Sequence, residues 1–441
     1  MPLHDPAPTR ARRSRRLVAI TGLLLLATTL PAQPATASPA PPHLPAQPAA
    51  TSPALPHPPT PTTALPPALP HPPAAASPAL PHPSTPTAIP TPLHLLAPTT
   101  ASTAPLHLPA PTGPHPVGTA VLHLVDESRP DPWVPAAGAR ELMVSVWYPA
   151  TSRGERRAAY VTPEESELLL ASAGITDVPP DALSRTRTNA YTDVPPAPGR
   201  RPLVVLSPGF TWPRTSLTAL AEDLASRGYL VAGIDHTYET HATTFPDGRV
   251  TTCAACLLED EDFPTRAVES RARDVSFVLD ELTRSPLVDP SRIGMAGMSL
   301  GGASVGEALL TDPRVRAGVD LDGSTFKPFP ESGLPRPFLF LTQDASDPSV
   351  ERDWQRLTGW RRWFKVAGAV HPSFADYDLL TQQLGVDFGS ALPGARSAEI
   401  TRAYVGAFFD LHLRGRSQPL LDGPSADYPE VRSCPPDDDC R

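Results

Sequence analysis

From Leu17 to Pro116 the chain carries no Asp, Glu, Lys or Arg, and 29 of the 86 residues between Pro31 and Pro116 are proline. Proline lacks a backbone donor and fixes its φ, so such a stretch forms neither helices nor central strands. It also lacks the aromatic and β-branched residues that close a core. Folding is therefore confined to residues 117–441, a length that suits one large domain. Ser52 to Pro58 recurs as Ser77 to Pro83, and polyproline-like extension at about 3 Å per residue makes such repeats semi-rigid spacers. Residues 38–116 are thus expected to be a disordered Pro/Ala-rich linker, either a stalk or a freely drifting tail. The seven histidines from His43 to His115 are too scattered in sequence to predict a metal site.

Residues 1–37 have the pattern of an export signal. Arg10, Arg12, Arg13, Arg15 and Arg16 precede the apolar run Leu17 to Leu30, and Ala35-Thr36-Ala37 offers a small-residue cleavage site. The run falls short of the roughly 20 residues a membrane span needs, and Ser14-Arg15-Arg16 also fits a twin-arginine signal. A secreted protein is expected, by either route. Four cysteines in an exported chain predict two disulfides, with local pairing of Cys253 with Cys256 and Cys434 with Cys440. The 117–441 part holds 32 basic against 45 acidic residues, a formal balance of −13. That charge argues against nucleic acid as a partner and leaves at most weak contact with a lipid surface.

After Val117 the pattern changes. Val117 to Val125 and Leu142 to Tyr148 read as antiparallel strands at a sheet edge. An insertion over about 150–202 follows, with a helix opened by a capping box at Thr162-Pro163-x-Glu165. Apolar runs then alternate with helical patterns: Leu203 to Leu206, Leu230 to Ile234, Ile293 to Met298, Val315 to Leu321 and Phe338 to Leu341 as strands. Asp274 to Leu282 and Ser397 to Leu413 read as helices, the second ended by Gly415. Alternating strands and helices predict an α/β domain, a mostly parallel sheet flanked by helices.

Gly297-Met298-Ser299-Leu300-Gly301 follows the strand ending at Ala296 and precedes a helical start at Gly302-Ala303-Ser304. Strand, sharp glycine-flanked turn and helix are what a serine nucleophile elbow of the α/β-hydrolase type requires. A serine hydroxyl needs a base, and only His371 and His412 of the five histidines beyond Val117 follow Ser299. His412 falls inside the closing helix; His371 follows the apolar run Val366 to Val370, at a strand exit, where a base belongs. The acid stays open among Asp322, at the end of the strand Val315 to Leu321, and Asp344 and Asp347 after the next strand, with Asp320 set deeper. An oxyanion hole would take its N–H groups from Leu300 and from Phe210, in Ser207-Pro208-Gly209-Phe210. No metal cluster and no cofactor motif is recognised, and Asp437 to Asp439 reads as a solvated tail.

Several blocks resemble the group VII phospholipases A2, or platelet-activating-factor acetylhydrolases, and their bacterial lipase-like relatives. They are Val117-Gly118, Val146-Trp147-Tyr148-Pro149, Ser207 to Phe210, Leu224 to Tyr229, the serine elbow, Leu321-Asp322-Gly323 and His371-Pro372-Ser373-Phe374-Ala375-Asp376. The resemblance implies a serine esterase without cofactor, acting on short-acyl lipid or phospholipid esters, and it points to Asp322 as the acid. Pro208 stands where the family usually has His, and the segment Thr162 to Ile175 differs from the eukaryotic lipid-docking segment. Two rivals are a cutinase-like polyester hydrolase, which favours Asp344 or Asp347, and a non-catalytic binding protein on the same scaffold.

Overall fold

The computed structural model describes residues 105–258 and 260–434. The expected export signal, the linker up to residue 104, Cys440 and the Asp437 to Asp439 run lie outside them. In chain order the elements are β1 (Val117–Pro130), β2 (Ala139–Pro149), α1 (Pro163–Ser172), β3 (Arg201–Ser207), α2 (Thr218–Ser226), β4 (Leu230–His236) and a short hairpin, β5 (Thr243–Thr244) with β6 (Val250–Thr251). There follow α3 (Phe263–Leu282), β7 (Val288–Met298), α4 (Leu300–Thr311), β8 (Val315–Leu321), β9 (Phe338–Gln343), α5 (Pro348–Trp354), β10 (Arg361–Val366), α6 (Asp376–Gln383), α7 (Gly394–Arg414) and β11 (Val431–Cys434).

Nine strands form one sheet in the order β1-β2-β4-β3-β7-β8-β9-β10-β11. From β4 to β10 every neighbour is parallel, while β1, β2 and β11 join antiparallel at the two edges. Parallel strands covered on both faces have no solvent side, which is why β3 and β4 read as unbroken apolar runs. Their alternate residues feed two cores. Val204 and Leu206 pack with Leu220 and Leu224 of α2 and with Tyr404 and Phe408 of α7. Leu203 and Val205 pack with Val275 and Leu279 of α3 and Val305 of α4 on the other face. The capping box of α1 forms, with Glu165 N donating to Thr162 Oγ1 at 3.1 Å and Thr162 N to Glu165 Oε2 at 2.8 Å. Gly415 ends α7 in the left-handed region, φ 66°.

The boundary expected at Val117 is corrected. Residues 105–116 pack against the domain, with Leu106 and Leu108 only 5% and 4% exposed. They join Tyr160, Leu169, Leu183 and Leu380 in a third cluster, built around the insertion. Leu108 N donates to Arg187 O at 3.0 Å, Arg187 N to Leu106 O at 2.7 Å, and Thr112 N to Asp223 Oδ1 at 2.7 Å. Proline does not prevent this, because the donors come from Leu108 and Thr112. Cys253 and Cys256 are bridged; Cys434, at the end of β11, is also disulfide-bonded. No helix among the described residues is long and apolar enough to cross a membrane.

A chain starting at Val117 is expected to melt several degrees below one starting at Pro105, because losing a buried leucine costs about 2–5 kcal/mol. Thermal unfolding of the two truncations checks this, and equal melting temperatures would refute it.

Candidate active site

Ser299 sits between β7 and α4 with φ 56° and ψ −124°, a conformation that costs a non-glycine residue of order 1–3 kcal/mol and persists only where its surroundings enforce it. Here they do. Ser299 N donates to Leu321 O at 2.9 Å, and Ser299 O accepts from Ala303 N at 2.9 Å as the first bond of the helix. A methyl group on Gly297 would lie 2.1 Å from Gly301 O, and one on Gly301 2.0 Å from Ser207 O. The two glycines of the motif are thus required by backbone contact, across the turn and against the end of β3.

Asp322 follows β8, the strand beside β7 (Met298 pairs with Leu321). Its backbone is also left-handed, φ 56°. Oδ1 accepts from Gln343 N at 2.9 Å and Oδ2 from Gln343 Nε2 at 3.0 Å; Oδ2 also lies 2.6 Å from His371 Nδ1. The Asp322 side chain is 7% exposed and that of His371 43%, so a buried carboxylate holds a partly exposed imidazole.

His371 does not follow a strand directly. Strand β10 ends at Val366, and Gly368, φ 78°, turns the chain before it. The rest of the His-Pro-Ser-Phe-Ala-Asp block anchors this turn. Ser373 Oγ accepts from Val370 N at 3.0 Å and donates to Asp378 at 2.7 Å, Phe374 is buried, and Asp376 accepts from Ala219 N in the first turn of α2 at 3.2 Å. His412 is instead packed against Trp360 and Phe408, with burial and then Arg362 pushing its pKa down to about 4.

The other acid candidates have other partners. Asp347 caps α5, accepting from Ser349 N at 2.8 Å, and takes the Ser324 hydroxyl at 2.5 Å. Burial raises its pKa, but the Ser324 and Ser349 hydrogen bonds prevail and hold it low. Asp344 is exposed and paired with Arg432. Asp320 is fully buried beneath the elbow, and burial pushes its carboxyl well above the usual range despite the Gly323 N–H at 2.8 Å.

Leu300 is the first residue of α4, where backbone N–H groups have no partner within the helix and the dipole favours negative charge. Phe210 lies on the loop after β3; a methyl group on Gly209 of that loop would be 3.5 Å from Ser299 Cβ. Thr211 and Trp212 donate their amides to Glu239 O at 2.8 Å and Gly209 O at 3.3 Å. Beside them opens an apolar cavity of about 260 Å³, walled by Leu169, Leu170 and Ile175 of the insertion and by Trp212, Tyr377 and Leu384, with Pro372 at its edge.

Behind the loop lies a cluster not anticipated from the sequence. Ser207, His236, Asp274, Arg140, Arg271 and Glu239 are all buried and mutually bonded. The one available signal was Arg271 and Asp274 lying on or beside the apolar stripe of α3 that includes Val275, Val278 and Leu282. His236, Glu239 and Asp274 bring potential ligand atoms within 4.8 Å of one another. Their carboxylates already accept from Arg140 and Arg271, so guanidinium groups supply the positive charge there.

Comparison with known proteins places the chain among esterases. The family model described as platelet-activating factor acetylhydrolase, isoform II, matches residues 100–252 and 249–391. A "probable 1-alkyl-2-acetylglycerophosphocholine esterase" of Arthroderma benhamiae is 30% identical, over 73% of this chain and 92% of its own. The platelet-activating factor acetylhydrolase of Cavia porcellus is 28% identical over 42% of this chain and 50% of its own. A solved structure, the ferulic acid esterase from Streptomyces cinnamoneus, superposes with a TM-score of 0.69 at 45% identity, covering 75% of this chain and 99% of that one. With its parallel sheet, its serine elbow and these relatives, the chain belongs to the platelet-activating factor acetylhydrolase isoform II family, within the α/β-hydrolases, and is an esterase.

Proposed function

We propose that the chain is an exported serine carboxylesterase that works through Ser299, His371 and Asp322. His371 takes the proton of Ser299 as the oxygen attacks the ester carbonyl, and the N–H groups of Phe210 and Leu300 hold the oxyanion. His371 then protonates the departing alcohol, and water, activated by the same imidazole, releases the acid from the acyl-enzyme. The observation that carries this reading is the 2.6 Å contact between His371 Nδ1 and Asp322 Oδ2, made from the strand next to that of Ser299. A base held at Nδ1 keeps Nε2 free to work on the serine. The arginine-rich head and the apolar run after it support export.

For substrate, the reading is a short-acyl lipid ester whose apolar portion lies in the cavity beside Trp212. The names of the family and of the fungal relative favour it. A second reading, an aromatic ester of the feruloyl kind, is favoured by the 45% identity to the ferulic acid esterase and by the Trp212 and Tyr377 rings, 4.5 Å apart edge to face.

Replacing Ser299 by Ala should lower kcat on p-nitrophenyl acetate by roughly a millionfold; retained activity would end the assignment. Asp322→Asn should lower kcat by about ten-thousandfold, while Asp347→Ala should cost about 0.5–2 kcal/mol of stability through its helix cap and leave kcat intact. The reverse order would move the acid to Asp347.

Leu170→Trp, which fills the cavity, should raise KM for a short-chain phospholipid or for methyl ferulate, whichever is the better substrate, and spare p-nitrophenyl acetate. A uniform effect on all three would place the apolar portion elsewhere.

A further inference from the structure

The loop that carries Phe210 is held at both shoulders by one buried ion pair. On one side Arg271 Nη1 donates to the carbonyl of Pro208 at 2.5 Å and to Ser207 Oγ at 3.3 Å. On the other, the carbonyl of Glu239 accepts from Thr211 N at 2.8 Å. The two shoulders are joined because the Glu239 carboxylate accepts from Arg271 Nε at 2.7 Å and from Trp133 Nε1 at 2.9 Å. Between them the Gly209 carbonyl accepts from Trp212 N at 3.3 Å. In a planar trans peptide the carbonyl and the following N–H point opposite ways. Fixing the Gly209 carbonyl therefore directs the Phe210 N–H away from Trp212, and Thr211, φ 71°, is kept in its left-handed conformation by the same bonds.

The root of the loop, which Arg271 also reaches at Ser207, has a second set of partners. Ser207 Oγ meets His236 Nε2 at 2.9 Å, and His236 Nδ1 meets Asp274 Oδ2 at 2.7 Å. This is a second serine, histidine and aspartate array, but its members are at most 2% exposed and no ester can reach it. Asp274 in turn accepts from Arg140 Nη2 at 2.8 Å.

We propose that Arg271, clamped by Glu239, is a positioning residue for the oxyanion hole: it touches no substrate, and by holding the Pro208 carbonyl it fixes the Pro208–Gly209 peptide, from which the Gly209 carbonyl and the Phe210 N–H that follows are aimed. The Ser207, His236 and Asp274 array holds the same loop at its root. The proposal rests on the reading of Ser299 as nucleophile and Phe210 as oxyanion donor.

The test measures kcat per serine titrated by a fluorophosphonate, in the full chain, for Arg271→Gln, Arg271→Lys and Ser207→Ala. Expected for Arg271→Gln is a 100- to 1000-fold loss of kcat per titrated serine, the size of losing about one oxyanion donor, with KM within about threefold. Lysine, lacking the planar fork, should not restore it. Affinity for a trifluoromethyl ketone, whose adduct carries the oxyanion, should fall in parallel with kcat. A merely structural role would lower the amount of titratable serine and leave kcat per titrated serine unchanged, which would overturn the proposal. If Arg271→Gln yields no titratable protein, Ser207→Ala decides by the same readout, with a loss of about 3- to 30-fold expected and an unchanged value overturning it. Should Ser299→Ala keep its activity, the nucleophile assignment itself has failed; a normal Arg271→Gln beside an inactive Ser299→Ala removes the positioning role alone.

Discussion

Gly301 approaches the carbonyls of Ser207 and Pro208 so closely that a single methyl group would have to lie within 2.0 to 2.6 Å of them. That contact brings the N-terminus of α4 against the end of β3, and much of the site depends on it. Phe210 of the loop after β3 packs in one cluster with Leu300 at the start of α4, and Ser299 between β7 and α4 has φ 56°. The neighbouring pair of strands, β7 and β8, then fixes the distance from Ser299 to Asp322 through the bond from Ser299 N to Leu321 O. Two non-glycine residues with positive φ, at the ends of adjacent parallel strands, store strain where those strands deliver their side chains.

Charge is distributed with a similar economy of means. The described part of the chain is acidic, yet the arginines buried behind the loop of Phe210 are already bound to carboxylates. Arg140 pairs with Asp131 and Asp274, and Arg271 with Glu239, so each of these buried charges has a partner of opposite sign; breaking one member would leave a buried charge unpaired, which is far costlier than removing a surface ion pair. Beneath the elbow the opposite solution is used. No ion pair to Asp320 is found among the described residues, and burial pushes its pKa well above the usual carboxylate range despite the Gly323 N–H. The carboxylates of Asp322 and Asp347 nearby push it in the same direction.

Most of the scaffold was legible because parallel strands buried on both faces are largely apolar, as in Leu203 to Leu206 and Phe338 to Leu341. The elbow was legible for a related reason: glycines at 297 and 301 are required by backbone contact. His371 was singled out by elimination, since one downstream histidine falls within a helix, and it lies 2.6 Å from Asp322. Three features were not legible. The packed strip at Leu106 and Leu108 is too short to show a period, and its prolines point the other way. The apolar run Val366 to Val370 looked like one strand, but Gly368 breaks it. The charges behind the loop lie far apart in sequence, from Arg140 to Asp274, and only the sheet brings them together. Among the acid candidates, residue type and position alone could not separate Asp322 from Asp347; the difference lies in which carboxylate faces an imidazole and which a helix end.

The account turns on Ser299 carrying the acyl group. The most direct measurement is peptide mapping by mass spectrometry after acid quench during turnover of p-nitrophenyl acetate, when deacylation limits the rate and the acyl-enzyme accumulates. The account predicts one acetyl group, on the peptide containing Ser299 and on that residue. Acetylation of another serine, Ser207 or Ser324 for example, with Ser299 unmodified would contradict it.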